Sequence, residues 1–222
     1  QRTVRHYPYG SLAAHLLGYV GPITRSEWES ARDRNGSNTS DTEDPKAYQL
    51  NHEIGKTGVE RIFENDLRGV PGIRALEVDA SGNVIRPRED FSEAAIPGND
   101  VWLTIDIDLQ DLAEKELDLG LARARLQDLD EGDPPFVASA GSVVAIDPNN
   151  GDVLAMASYP TYEPADFVNG ISRSQFDQLT SETNFSPILN RAIQGTYAPG
   201  STFKLVTAYA ALEEGVLGPD GI

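Results

Sequence analysis

The chain has 222 residues, 39% of them hydrophobic and 8% aromatic, which suits one large or two small globular domains and not a disordered chain. Its net charge of −17 argues against a nucleic-acid surface or a basic membrane-binding face. Cysteine is absent, which removes disulfides, thiolate chemistry and cysteine metal sites. The histidines (His6, His15 and His52) lack the spacing of a metal motif and read as packing or surface residues.

In chain order, Arg5-His6-Tyr7-Pro8-Tyr9-Gly10 reads as an extended segment entering a turn, and Ser11 as the cap of a short apolar helix through Leu17, broken by Gly18. A second helix is expected over 24–34, around Trp28. Residues 35–48 shift to Gly, Ser, Asn, Thr, Asp and Glu without apolar period and read as a flexible acidic loop. Gly55-Lys56-Thr57-Gly58-Val59-Glu60 leads into a helix ending near Arg68-Gly69. Residues 74–78 and 83–86 alternate on either side of Asp79-Ala80-Ser81-Gly82 and predict a hairpin. The pattern restarts after Ile96-Pro97-Gly98, so the domains are expected at 1–98 and 99–222.

Beyond that boundary, residues 101–105 predict a strand. Residues 108–127 predict a helix burying Leu109, Leu112, Ala113, Leu117, Leu121 and Ala124. An acidic loop follows at 128–135. A second hairpin pairs 142–146 with 152–158 through Asp147-Pro148-Asn149-Asn150-Gly151; both arms are almost continuously apolar, which predicts a sheet covered on both faces.

The chemistry concentrates in Pro199-Gly200-Ser201-Thr202-Phe203-Lys204, where a helix is expected to begin near Ser201 and to stop at Gly215. Residues i and i+3 are neighbours on a helix, so Ser201 and Lys204 face the same way on the first turn. A serine hydroxyl becomes a good nucleophile when a base takes its proton, and a lysine amine does so only when neutral. Moving a lysine pKa from about 10.4 to about 7 costs roughly 4–5 kcal/mol, which apolar walls and nearby cations can supply. The apolar run Leu205, Val206, Ala208, Ala211 and Leu212 predicts a central helix packed on the 142–158 hairpin. Alone, S-x-x-K is weak and is better satisfied by a capping serine with a solvated lysine one turn on.

Its surroundings decide between these. Leu103-Thr104-Ile105-Asp106 with Leu109-Gln110, Asp147-Pro148-x-x-Gly151-Asp152 running to Ser158, Asn190-Arg191-Ala192, and Tyr197-Ala198-Pro199-Gly200-Ser201-Thr202-Phe203-Lys204 resemble, in order, the first part of a penicillin-binding transpeptidase domain. Arg5-x-Tyr7-Pro8-x-Gly10, Ala14-His15-x-x-Gly18-Tyr19-Val20-Gly21 and Gly55-Lys56-Thr57-Gly58-Val59-Glu60 resemble the non-catalytic pedestal of class B penicillin-binding proteins, most closely the elongation type. Ala198 departs from the proline usual at its position.

The resemblance implies an α+β fold: a pedestal (dimerisation-type) domain, then the N-terminal part of a serine β-lactamase-like transpeptidase domain. It implies a D,D-transpeptidase that cross-links peptidoglycan stem peptides, with Ser201 attacking the D-Ala-D-Ala carbonyl and Lys204 taking the serine proton. β-lactams would acylate the same serine. No cofactor, metal or nucleic acid is expected; the resemblance implies an extracytoplasmic place at the cell membrane and a membrane glycan polymerase of the elongation machinery as partner. Gln1 in place of Met, and an ending in Gly218-Pro219-Asp220-Gly221-Ile222, read as the ends of a fragment with a membrane anchor expected upstream. In the pedestal, the resemblance implies that Arg5 and Glu60 pair.

Two further family motifs, S-x-N and K-T-G, should follow the serine. Lys56-Thr57-Gly58 and Ser81-Gly82-Asn83 spell them but precede Ser201, so both read as structural, and the chain is expected to hold half an active site and to be inactive alone. The rival readings are a class D β-lactamase, against which the hundred or so residues before Trp102 argue, a β-lactam sensor, and a non-catalytic interaction fragment.

Overall fold

The computed structural model describes residues 5–34, 48–127, 136–168, 170–216 and 218. The two acidic loops expected at 35–48 and 128–135 lie outside the described residues, apart from Tyr48. Among the described residues the fold is α+β, with mostly short helices and three separate two-stranded antiparallel sheets.

The N-terminal portion opens with helix α1 (Ala14–Leu17), strand β1 (Val20–Pro22) and helix α2 (Arg25–Arg34). Ser11 does not cap α1: Ala13 takes the preceding position at φ 58 with no side-chain cap, and Ser11 contributes only its backbone carbonyl, to Ala14 N at 3.1 Å. Thr24 does cap α2, exchanging bonds with Glu27 in both directions. Strand β2 (Glu53–Gly55) pairs with β1 and leads into α3 (Gly58–Ile62) and α4 (Glu64–Leu67). The expected hairpin forms as β3 (Leu76–Val78) and β4 (Val84–Pro87). Its turn is held by the Asp79 carboxylate, which accepts from the Ser81 and Asn83 backbone N–H groups, so Ser81-Gly82-Asn83 is turn structure. Lys56 forms an ion pair with Glu27 at 2.6 Å, a structural role as well.

The C-terminal portion holds α5 (Ile107–Arg125), β5 (Gly141–Ile146), β6 (Val153–Tyr159), α6 (Arg173–Thr180), α7 (Arg191–Gln194) and α8 (Lys204–Glu213). Asp106 caps α5, accepting from the N–H groups of Asp108 and Leu109. Three expectations fail here. Residues 101–105 form no strand: the segment is tied to β6 only by Thr104 Oγ1 to Val153 O (2.7 Å) and, just beyond it, Asp106 N to Leu154 O (2.9 Å), because the chain must turn into the capped helix. The β5–β6 sheet is not covered on both faces. Ala155 and Ala157 of β6 are buried, but β5 is an edge strand whose Val143, Val144 and Ile146 remain exposed. Leu112 is also exposed on α5.

The aromatic core lies where the two portions meet. Tyr19 stacks on Phe167 with ring centroids 3.6 Å apart, Tyr162 stands edge-on to both, and His15 stands edge-on to Tyr162. Ala14, Tyr19, Tyr162 and Phe167 are buried together, two from each side of residue 99.

Candidate active site

Ser201 lies within a 3-10 turn, Gly200–Phe203, that runs directly into α8. Pro199 (φ −64) precedes the turn, and the Thr202 hydroxyl donates back to the Pro199 carbonyl. Phe203 and Lys204 are both right-handed helical, so Ser201 and Lys204 sit three residues apart on one continuous winding, where a 3-10 turn brings i and i+3 into line. The expected α-helix starting at Ser201 therefore begins three residues late, at Lys204.

Burial is where the structure departs furthest from expectation. Ser201, Lys204 and the residues through Ala210 are exposed, with Leu205 79%, Val206 54% and Tyr209 66% accessible. Among the described residues nothing lays an apolar cover over α8, and its placement against the 142–158 hairpin is overturned. The helix is apolar on several sides and calls for cover, but the edge strand β5 presents Val144 and Ile146 to solvent and not to α8. The apolar wall invoked for Lys204 is not formed among the described residues.

Upstream, the approach to the serine is firmly built. Asn190 and Arg191 are buried. Arg191 N donates to Ser158 Oγ at 2.9 Å, and Ser158 Oγ donates to Leu189 O at 3.3 Å, fixing α7 to the end of β6. The Arg191 guanidinium donates to the carbonyls of Phe185, Ser186 and Leu189, anchoring the loop before α7.

In the N-terminal portion, Arg5 and Glu60 meet as expected. The Arg5 fork reaches both carboxylate oxygens, Nε to Oε1 at 2.9 Å and Nη2 to Oε2 at 2.9 Å. Glu60 is buried, and that burial holds its carboxyl above the ordinary range although Arg5 pulls the other way. Beside the pair, burial and the Glu60 charge push the Tyr7 phenol up to about 12, and its hydroxyl accepts from Val20 N at 3.2 Å. His15, read as a packing residue, is buried; its Nε2 is 2.7 Å from Pro187 O and must carry the proton, since a carbonyl only accepts. His52 sits 3.0 Å from Arg68 Nη2.

One polar group was not expected in a core role. Gln110 is fully buried, and its amide makes a two-point contact with the backbone of Met156: Met156 N donates to Oε1 at 2.7 Å and Nε2 donates to Met156 O at 3.0 Å. The same Nε2 donates to Glu114 Oε1 at 2.7 Å. Helical spacing carries the signal: Gln110 and Glu114 fall on the face of Leu117 and Leu121, a polar i, i+4 pair within an apolar stripe.

Comparison with known proteins matches residues 1–103 to the penicillin-binding protein dimerisation domain and residues 141–222 to the penicillin-binding protein transpeptidase domain. The chain belongs to the penicillin-binding proteins. It is 36% identical over 215 residues to the peptidoglycan D,D-transpeptidase MrdA of Salmonella typhimurium, a match covering 97% of the chain and 30% of that relative. Pseudomonas aeruginosa PBP2 in complex with WCK 5153 superposes with a TM-score of 0.63 at 35% identity, over 99% of this chain and 37% of that one. A chain from a peptidoglycan synthase complex that coordinates polymerization and crosslinking superposes with a TM-score of 0.71 at 34% identity, over 97% of this chain and 34% of that one. The chain thus spans about a third of the length of its relatives.

Proposed function

We propose that the gene product is a peptidoglycan D,D-transpeptidase of the elongation type, in which Ser201 is the acylated nucleophile and Lys204 its proton acceptor. The observation that carries this is the placement of Ser201 and Lys204 three residues apart on one helical winding, inside the segment similar to transpeptidase domains. Stem peptides ending in D-Ala-D-Ala would be the acyl donors and β-lactams the inhibitors. The reaction places the protein on the extracytoplasmic side of the cell membrane. The similarity to a chain of a peptidoglycan synthase complex supports a glycan polymerase as partner. Among the described residues no helix is long and apolar enough to cross a membrane. The division at residue 98 into a pedestal and a transpeptidase portion belongs to the same proposal.

The exposure of Ser201 and Lys204 accords with a site completed by groups beyond this span, so the 222-residue chain alone is not expected to acylate. Nucleophile, base and oxyanion donors act as a unit, and one missing oxyanion donor alone is worth roughly 3–4 kcal/mol. The test is intact mass after incubation with penicillin. The gene product should gain one adduct, and the Ser201→Ala variant none. An adduct surviving in that variant would remove Ser201 as nucleophile; rapid turnover of a chromogenic cephalosporin would favour a β-lactamase.

A further inference from the structure

Three consecutive residues of the N-terminal portion have their polar groups taken up by the C-terminal portion. Ala13 N donates to Glu114 Oε1 at 2.8 Å, Ala14 O accepts from the Tyr162 hydroxyl at 2.9 Å, and His15 O accepts from Asn190 Nδ2 at 3.1 Å. The first of these contacts leads furthest. Glu114 Oε1 receives two donors at once, the Ala13 N–H and the Gln110 amide, and Gln110 grips Met156 in turn. Because both backbone groups of Met156 are directed at Gln110, they point away from its β5 partner Val144. The Gln110 side chain thus stands in for a neighbouring strand on the free edge of β6. Two residues on, Ser158 of β6 holds Arg191 N, at the start of the short run that ends in Ser201.

We propose that Glu114 is a positioning residue: its Oε1 locks the Ala13 turn to Gln110 and β6, and so fixes the 189–194 segment that delivers Ser201. The acceptor atom does this, not the charge, since both bonds end on a single oxygen that a glutamine also possesses. The connection to Ser201 chemistry rests on the transpeptidase reading; the joint between the portions does not.

The experiment compares Glu114→Leu, Glu114→Gln and Gln110→Glu in the gene product. In hydrogen exchange, Glu114→Leu should raise exchange tenfold or more in peptides covering 13–15 and 189–194, and Glu114→Gln should match the wild type. Gln110→Glu should behave like Glu114→Leu, because it sets an oxygen against both Met156 O and Glu114 Oε1. Should Glu114→Leu not fold, Glu114→Asp takes its place: it keeps the charge but withdraws the acceptor, and should raise exchange likewise. In acylation by penicillin, Glu114→Leu should be slowed at least tenfold and Glu114→Gln should be restored to the wild-type rate. Unchanged exchange at 189–194 in Glu114→Leu or Glu114→Asp overturns the joint, as does a Glu114→Gln that behaves like Glu114→Leu. A wild type acylated at Ser201 and a Glu114→Leu acylated equally fast overturn the positioning role and leave the functional reading standing. A wild type that penicillin never acylates removes the functional reading, and exchange alone then decides the joint.

Discussion

Asn190 donates its amide to the carbonyl of His15 at 3.1 Å, closing a contact across 175 positions of sequence. The His15 ring is fixed on its other side by Pro187 O and by the edge-on Tyr162 ring. Both ends of this contact are buried, so whatever charges His15 acts on the meeting of the two portions.

Burial holds the His15 pKa below the ordinary value, and Arg191 adds to that against the opposing Pro187 carbonyl. A lowered folded-state pKa means the stability from neutral His15 is fully present above the unfolded value of about 6.5 and is lost as pH falls below it. Glu60 and Glu114, both raised by burial, work in the opposite sense, so the variant is compared with the wild type at each pH. His15→Gln can keep the donor to Pro187 without titrating. The urea midpoint of wild type minus that of His15→Gln should fall from pH 7 to pH 5.5, and a constant difference would show that His15 is not the acid-sensitive group.

Arg5→Met should leave Glu60 buried without its cation. Glu60 is 10% exposed and Arg5 37%, so the expected loss lies between those of exposed and buried pairs, about 1–3 kcal/mol at neutral pH. Arg5 pulls the buried Glu60 carboxyl down, so its loss lets burial raise that pKa further, and the variant gains more stability than the wild type as pH falls. The penalty of Arg5→Met should therefore shrink between pH 7.5 and pH 5, measured by denaturant titration. A pH-independent loss would assign it to packing of the arginine stem.

How far the sequence led depended on how local the determining physics was. The Asp79 turn and the β5–β6 hairpin were legible because each depends on residues close in sequence. The Arg5–Glu60 pair was legible by resemblance. Gln110 was missed because apolar periodicity ranks leucines for burial, whereas the most buried position on α5 is a glutamine that satisfies a strand edge. The depth of α8 was misjudged because an apolar helix states a need for cover and not what supplies it. Residues 101–105 have the β-branched and aromatic content of a strand, but the chain turns at Asp106 into the capped α5 and meets β6 only through Thr104 and Asp106.

Gly58→Ala tests how closely the N-terminal portion is packed. At φ +59, an added Cβ would lie 2.4 Å from Leu16 O and 2.7 Å from Gly18 N, both backbone atoms that cannot swing aside. Backbone strain and overlap together predict a loss of about 2–3 kcal/mol. Gly82→Ala, at φ +84 in open space, carries strain alone and should lose about 1 kcal/mol. Equal thermal shifts for the two would mean the 16–18 and 57–58 segments are not in contact.

Arg191→Lys keeps the charge but gives up the planar fork that serves three carbonyls. The variant should lose about 1–3 kcal/mol, with the 182–190 segment becoming the first site of limited proteolysis. An unchanged cleavage pattern would show that the loop is held by something other than the guanidinium.

The aromatic cluster of Tyr19, Tyr162 and Phe167 bears on how such chains can recombine. Two proteins of this kind cannot exchange everything before residue 99 as an independent cassette, since that crossover would mate one parent's Tyr19 and His15 with the other parent's Tyr162, Phe167 and Asn190. Viable chimeras should instead carry 13–19 together with 154–190 from the same parent. The unit of inheritance in this architecture is then the seam between the two portions, and the outlying β3–β4 hairpin is the part free to be exchanged.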